Sequence, residues 1–335
     1  DVYKRQDDFL RAGAGANAQP VPYRENMLAV INHTGGTTGV PKGVMLTNDG
    51  MNAMSVNFGL SGVNYSRDNR FLDIIPPFAS YGVVCSLHVP FSLGLEVVLI
   101  PLFDPEKFAD MVRRYRPTHT LAVPSHYERL MNDARIRKMD LSFFETAGSG
   151  GDTMNAGLEA KLNSFLESRG CRYPLSQGYG MSEVSSAASC CCNGNFKSLS
   201  VGYPLLTTTI GIFEPGTDNE LDYGEEGEIC ISGPSIMLGY LNNKAETENV
   251  IRRHADGELW VHSGDIGHMD SDGFVYIKGR IKRMITLFNG HKIFPTHIES
   301  VLGRHPLVSS CAVVGVNDTT HAQLSLIHIS EPTRP

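Results

Sequence analysis

The sequence has no apolar run long enough to cross a membrane, no cluster of lysines and arginines, and no C-x-x-C pair among its seven cysteines. The first absence leaves no candidate membrane helix, which needs about 20 consecutive apolar residues. The second, in a chain of formal net charge −7, removes the basic footprint by which nucleic acids are bound. The third gives neither zinc spacing nor a disulfide framework, and predicts a reducing, cytoplasmic setting. The consecutive Cys190, Cys191 and Cys192 then read as small apolar filler near a pocket. No internal repeat or low-complexity segment is evident. A composition of 41% hydrophobic and 19% charged residues over 335 positions is that of a globular chain with room for more than one core.

The two ends carry a signal of their own. Residues 1–6 can be encoded by gat-gtg-tat-aag-aga-cag, whose reverse complement encodes the residues found at 324–329. Residues 330–334 continue that run as a sequencing-library transposon adapter would. Segments 1–6 and 324–335 are therefore expected to be adapter scars and are set aside, which makes 7–323 an interior fragment.

What is present in strength is the run at 34–43, T-G-G-T-T-G-V-P-K-G, directly after an apolar strand at 27–32. Its four glycines let backbone N–H groups close around an anion. Its threonines donate hydrogen bonds, and Lys42 adds a charge. A Walker loop is excluded, because it requires Ser or Thr after Gly-Lys; here Pro41 precedes Lys42 and Gly43 follows it. Two further groups stand downstream: Q-G-Y-G-M-S-E at 177–183, behind the Ser149, Gly150, Gly151, Asp152 cluster, and W-V-H-S-G-D at 260–265, followed by Gly279, Arg280, Ile281 and Lys282.

The pattern along the chain is α/β. Residues 7–24 read as a loop or linker, and Thr47 or Asn48 caps a helix running to about Leu60. Strands at 71–75, 96–101, 118–123 and 145–149 alternate with helices opened by Asp104-Pro105-Glu106 and lying around 125–132 and 158–169. This predicts a mainly parallel sheet flanked by helices. From Gly202 onward, short strands at 207–213, 228–232, 258–261 and 273–278, with a hairpin signal at 270–273, predict a smaller antiparallel, barrel-like region. Beyond Ile281 a β-α-β pattern, with a helix at 295–303 and a strand at 309–316, predicts a small α+β domain. The expected division is 7–279, a large domain lacking its N-terminal part, and 280–323, the truncated start of the small one.

The loop at 34–43 matches every position of [ST]-[SG]-G-[ST]-T-G-x-P-K-G, and the chain resembles the adenylate-forming (AMP-binding) enzymes, most of all the acyl-CoA synthetases. That resemblance implies ATP, Mg²⁺ and coenzyme A as cofactor and co-substrates, a carboxylic acid as substrate, and coenzyme A or an acyl-carrier protein as acceptor. It implies that Thr34, Gly35, Gly36, Thr37, Thr38, Gly39 and Lys42 hold phosphate, and that Gly150, Gly151 and Asp152 line the adenine edge. Tyr179 would stack on adenine, Ser182 would bind the α-phosphate and Glu183 would hold Mg²⁺, whose usual ligands are carboxylates and phosphates. Asp265 would hold the ribose hydroxyls with Arg280 as its partner, and Lys282 would be the hinge. Lys42, Ser182, Glu183 and Arg280 would carry the chemistry, and Ala79, Tyr81 and Gly178 would shape the acyl pocket.

The chain departs from the family at three places. After Pro76-Pro77-Phe78 it has Ala79 where many acyl-CoA synthetases carry a ring and amino-acid-activating relatives an aspartate, which favours a plain acyl substrate. Thr286 follows Ile285 where a lysine is frequent. The late catalytic lysine falls outside the sequence, so a chain of this extent is expected to be inactive. His33 reads as a strand-end residue, and the remaining histidines, including His254, His262 and His268, show no ligand spacing.

Overall fold

Alternating apolar strands and amphipathic helices of this kind bury their apolar faces by stacking in layers. The computed structural model describes residues 2–17, 19–34, 41–286, 292–302, 305, 308, 310–318 and 322–330. Its largest sheet has seven strands in the order Glu96–Leu99, Arg70–Asp73, His119–Ala122, Thr146–Ser149, Ser176–Tyr179, Ser189–Cys190 and Tyr203–Pro204. The first five are parallel and the last two antiparallel. Helices Phe108–Tyr115, Pro124–Asn132 and Ala156–Ser168 supply Phe108, Val112, Tyr127, Leu130, Leu162 and Leu166 to one core with Leu72 of the sheet and Ile74 just beyond that strand. A second core joins Val44 and Leu46 to Met54 of helix Asn48–Gly59 and to Val84 and Val89. Thr47 caps that helix by accepting the Gly50 N–H at 2.9 Å.

The antiparallel region forms as the pattern predicts, as a five-stranded sheet of Thr209–Phe213, Gly227–Ser232, Leu259–Met269, Ile251–Arg253 and Val275–Arg280. The hairpin signal at 270–273 is the turn between Leu259–Met269 and Val275–Arg280. Beyond it stand a short hairpin of Ile285–Thr286 with Lys292–Ile293, helix Pro295–Leu302, and strand Ser310–Asp318 paired with Ala322–Ser330.

Four elements differ from the sequence reading. Residues 7–13 are not a loop but belong to helix Val2–Gly13. Residues 7–13 of that helix are exposed, so no buried stripe marks it; Arg11 supports it locally through Asp8 at 2.8 Å and the Asp7 carbonyl. The strand expected to stop at 261 continues to Met269, carrying the Gly264-Asp265 pair inside a strand instead of a turn. Gly264 takes φ +71° between Ile266, opposite Glu228, and His262, opposite Cys230, where the pairing shifts, so the sheet absorbs the irregularity as a bulge. A π-helical turn, Tyr81–His88, stands where no helix signal is legible. Finally, Cys190 and Cys192 are joined as a disulfide, while Cys191 is buried as filler.

Candidate active site

Two strands place the ends of the glycine-threonine loop. Leu28–Thr34 and Lys42–Thr47 pair antiparallel with Thr34 opposite Lys42, so the loop leaves and re-enters the sheet at adjacent points. Gly35, Gly36, Thr37, Thr38 and Gly39 lie outside the described residues. Lys42 is largely buried: its ammonium pairs with Glu246 of helix Lys244–Val250 and sits 4.8 Å from the centre of the Tyr240 ring. Lys42, and after it Lys282, holds the Glu246 carboxyl below its ordinary range.

The same tyrosine reaches the second motif. Tyr240 Oη donates to Glu183 Oε1 at 2.7 Å, and Glu183 is buried on the single turn Ser182–Val184. Burial, and then the Glu183 charge, pushes the Tyr240 phenol up, so the hydrogen stays on the tyrosine. Ser182 Oγ lies 3.0 Å from Ser80 Oγ. The Glu183 carboxylate is a hard oxygen donor of the type magnesium takes. Neither Tyr240 nor Glu246 belongs to a motif quoted from the sequence; the only trace is a polar pair flanking an Asn-capped helix start at Asn243.

A third group closes through the barrel-like sheet. Asp265 stands opposite Arg280 in the register, and its Oδ1 lies 2.9 Å from Arg280 Nε. Its Oδ2 accepts from Tyr179 Oη at 2.7 Å. The Asp265 side chain is almost wholly buried, and burial pushes its carboxyl up while Arg280 pulls it down; the nearby Glu183 adds an upward push. Burial beside Asp265 also raises the Tyr179 phenol. The Asp265 backbone N–H is fixed by Ser263 Oγ at 3.0 Å.

Of these groups, Ser80, Tyr179 and Ser182 line a cavity of about 250 Å³ at the carboxyl ends of the parallel strands. Ala79, Tyr81, Gly150, Gly151, Gly178, Tyr179 and Ser182 all line it, with Cys190 and Cys192 on one wall. Asp152 does not: it is exposed and accepts from the Thr153 N–H at 2.7 Å. Lys282 lies in the turn Ile281–Arg283, directly after Arg280. His33 is an exposed strand residue opposite Gly43. Among the described residues that line the cavity, none carries a charge.

Comparison with known proteins adds to this geometry. A family model described as AMP-binding enzyme matches residues 2–241, and one described as AMP-binding enzyme C-terminal domain matches 282–331. The chain is 33% identical over 311 residues to 4-coumarate-CoA ligase 1 of Narcissus pseudonarcissus, covering 90% of this chain and 55% of that protein. It is 33% identical over 302 residues to the long-chain-fatty-acid–CoA ligase of Bacillus subtilis (strain 168), covering 88% and 51%. The chain therefore spans about half the length of these curated relatives. Among solved structures, ATP-bound MatB from Rhodopseudomonas palustris superposes with a TM-score of 0.84 at 25% identity, over 96% of this chain and 62% of that one.

Proposed function

This chain belongs to the AMP-binding enzyme family, and from that premise we propose that it is part of an acid–thiol ligase that activates a carboxylic acid with ATP and passes the acyl group to coenzyme A. The observation that carries the reading is that two contact networks, Lys42 with Tyr240 and Glu183, and Tyr179 with Asp265 and Arg280, stand near one cavity that Tyr179 and Ser182 line. In the first step a carboxylate oxygen of the acid attacks the α-phosphorus of ATP, and the bond to the pyrophosphate oxygen breaks. Lys42 and the loop before it offset the charge on the phosphates, and Ser182 donates to the α-phosphate. Glu183 would hold Mg²⁺, which supplies further charge neutralisation when bound. Asp265 accepts from the ribose hydroxyls with Arg280 as its ion-pair partner; the Tyr179 ring covers the base. In the second step a thiol attacks the acyl carbonyl and AMP leaves. The turn Ile281–Arg283, with Lys282, lies at the start of the segment matched by the second family model and is the hinge of this scheme.

The uncharged cavity wall, with Ala79 in place of an acid, offers no counter-ion for an ammonium group and supports a plain acyl or aryl carboxylic acid. The fatty-acid ligase and the 4-coumarate ligase among the relatives span both kinds. The test is acid-dependent exchange of pyrophosphate into ATP by the natural-length protein, across a panel of aliphatic and aromatic acids. Exchange with at least one acid, abolished in Lys42→Ala, is expected. ATP binding without exchange on any acid would overturn the catalytic reading.

A further inference from the structure

The barrel-like sheet that carries Asp265 holds a second polar cluster on its opposite face. Strands Gly227–Ser232 and Leu259–Met269 place Cys230 opposite His262. Alternate residues of a strand share a face, so Glu228 and Cys230 point the same way, and Trp260 and His262 face them. His262 Nδ1 lies 3.0 Å from Glu228 Oε2 and 3.5 Å from Cys230 Sγ, and one donor atom from each of the three residues falls within 4.8 Å of the others. All three side chains are buried. A tetrahedral zinc ion, with bonds of about 2.0 Å to nitrogen or oxygen and about 2.3 Å to sulfur, sets N···O edges of about 3.3 Å and N···S edges of about 3.5 Å. The separations found here are of that size before any ion is added.

The surroundings have the form of a metal site's outer shell. His262 Nε2 lies 3.0 Å from His254 Nε2, and His254 approaches Asp218 at 3.7 Å and stacks on Trp260. A ligating histidine is held in this way through its second nitrogen, which fixes the tautomer and turns the other lone pair inward. Phe213 and Trp260 pack with Cys230 into a small apolar cluster that seals the site. A proton on His262 Nδ1 would satisfy Glu228 and His262 alone; the thiol of Cys230 converging on the same point is what that proton leaves unused. The histidines show no ligand spacing in sequence because this cluster is assembled across strands, from positions 228, 230 and 262.

We propose that Glu228, Cys230 and His262 bind a divalent d-block cation of the zinc class, with a fourth position for water. Loading the site displaces the thiol proton of Cys230, which burial otherwise holds on the sulfur. The site is structural: Glu228 Oε1 also accepts the Gly264 N–H at 3.0 Å, so the cation pins the strand immediately before Asp265. It rests on no part of the nucleotide chemistry.

The experiment uses the full chain, stripped by chelator, kept in a non-coordinating reductant and titrated with Co²⁺. One equivalent is expected to bind with a thiolate-to-Co²⁺ charge-transfer band in the near ultraviolet, and Zn²⁺ is expected to displace it. Cys230→Ser, which keeps the side-chain shape, should lose the band. Glu228→Gln, which keeps the hydrogen-bonding reach, should keep the band but weaken binding by about tenfold or more. A folded, metal-free wild type that takes up no Co²⁺ would overturn the proposal. So would a band that survives in Cys230→Ser, which would put the cation on another cysteine.

Discussion

Tyr240 stands between the two charges that the phosphates of a nucleotide would meet. Its ring carries the Lys42 ammonium and its hydroxyl holds Glu183 at 2.7 Å. A hydrogen bond to a buried charged group contributes about 1.5–3 kcal/mol, so Tyr240→Phe should release Glu183 and raise the dissociation constant for ATP with Mg²⁺ by about tenfold or more. Isothermal titration on the folded variant checks this; an unchanged constant would remove Tyr240 from the site. The charged members of the site, Lys42, Glu183, Asp265 and Arg280, stand in motifs legible in the sequence, because an anionic ligand demands those residue types at close glycine approaches. Tyr240 and Glu246 were not legible. Their role depends on helix Lys244–Val250 packing beside a strand that lies some two hundred residues earlier in the chain.

At the level of elements, the turn that presents Ser182 and Glu183 depends on one glycine. A Cβ on Gly180 would lie 1.7 Å from the Ser186 carbonyl oxygen and 2.7 Å from Ala187 Cα, both backbone atoms that cannot swing aside. Gly180→Ala should therefore destabilise the chain by about 1–3 kcal/mol and move the Ser182–Val184 turn. Urea unfolding measures it, and an unshifted midpoint would show that the segments do not approach this closely. The helices at 108–115, 124–132 and 156–168 were legible because each pairs a polar cap or proline start with an apolar stripe. The exposed helix Val2–Gly13 and the π-helical Tyr81–His88 were not. The first shows no burial at 7–13 and so imposes no stripe. The second is held by contact: Gly82 packs so tightly on Pro76 that a Cβ would sit 2.1 Å from its carbonyl oxygen.

Across the whole molecule, the parallel sheet fixes how stability responds to pH. Asp73 ends the strand Arg70–Asp73 with its side chain buried, and burial pushes its carboxyl up to about 7, against a weaker downward pull from the Ile75 N–H. The folded chain thus holds this proton more tightly than the unfolded one. Stability falls as pH rises from about 4, where the unfolded carboxyl ionises, to about 7, and this contribution is flat beyond. Asp73→Asn should remove that loss, so its gain in thermal midpoint over the parent should grow from pH 5 to pH 8, by an amount on the order of a few kcal/mol in free energy. Equal pH profiles for the two proteins would contradict it. The sequence by itself determined the α/β order of elements, the antiparallel region after Gly202 and the motifs that hold the charged candidate residues, because periodicity, turn residues and glycine-rich motifs are local demands. Only the tertiary structure decided that Asp265 lies within a bulged strand, that Tyr179, Asp265 and Arg280 form one chain of contacts, that Asp152 faces solvent, and that Glu228, Cys230 and His262 converge. Each of these rests on register between strands distant in sequence, where a shift of one residue would turn every side chain to the opposite face.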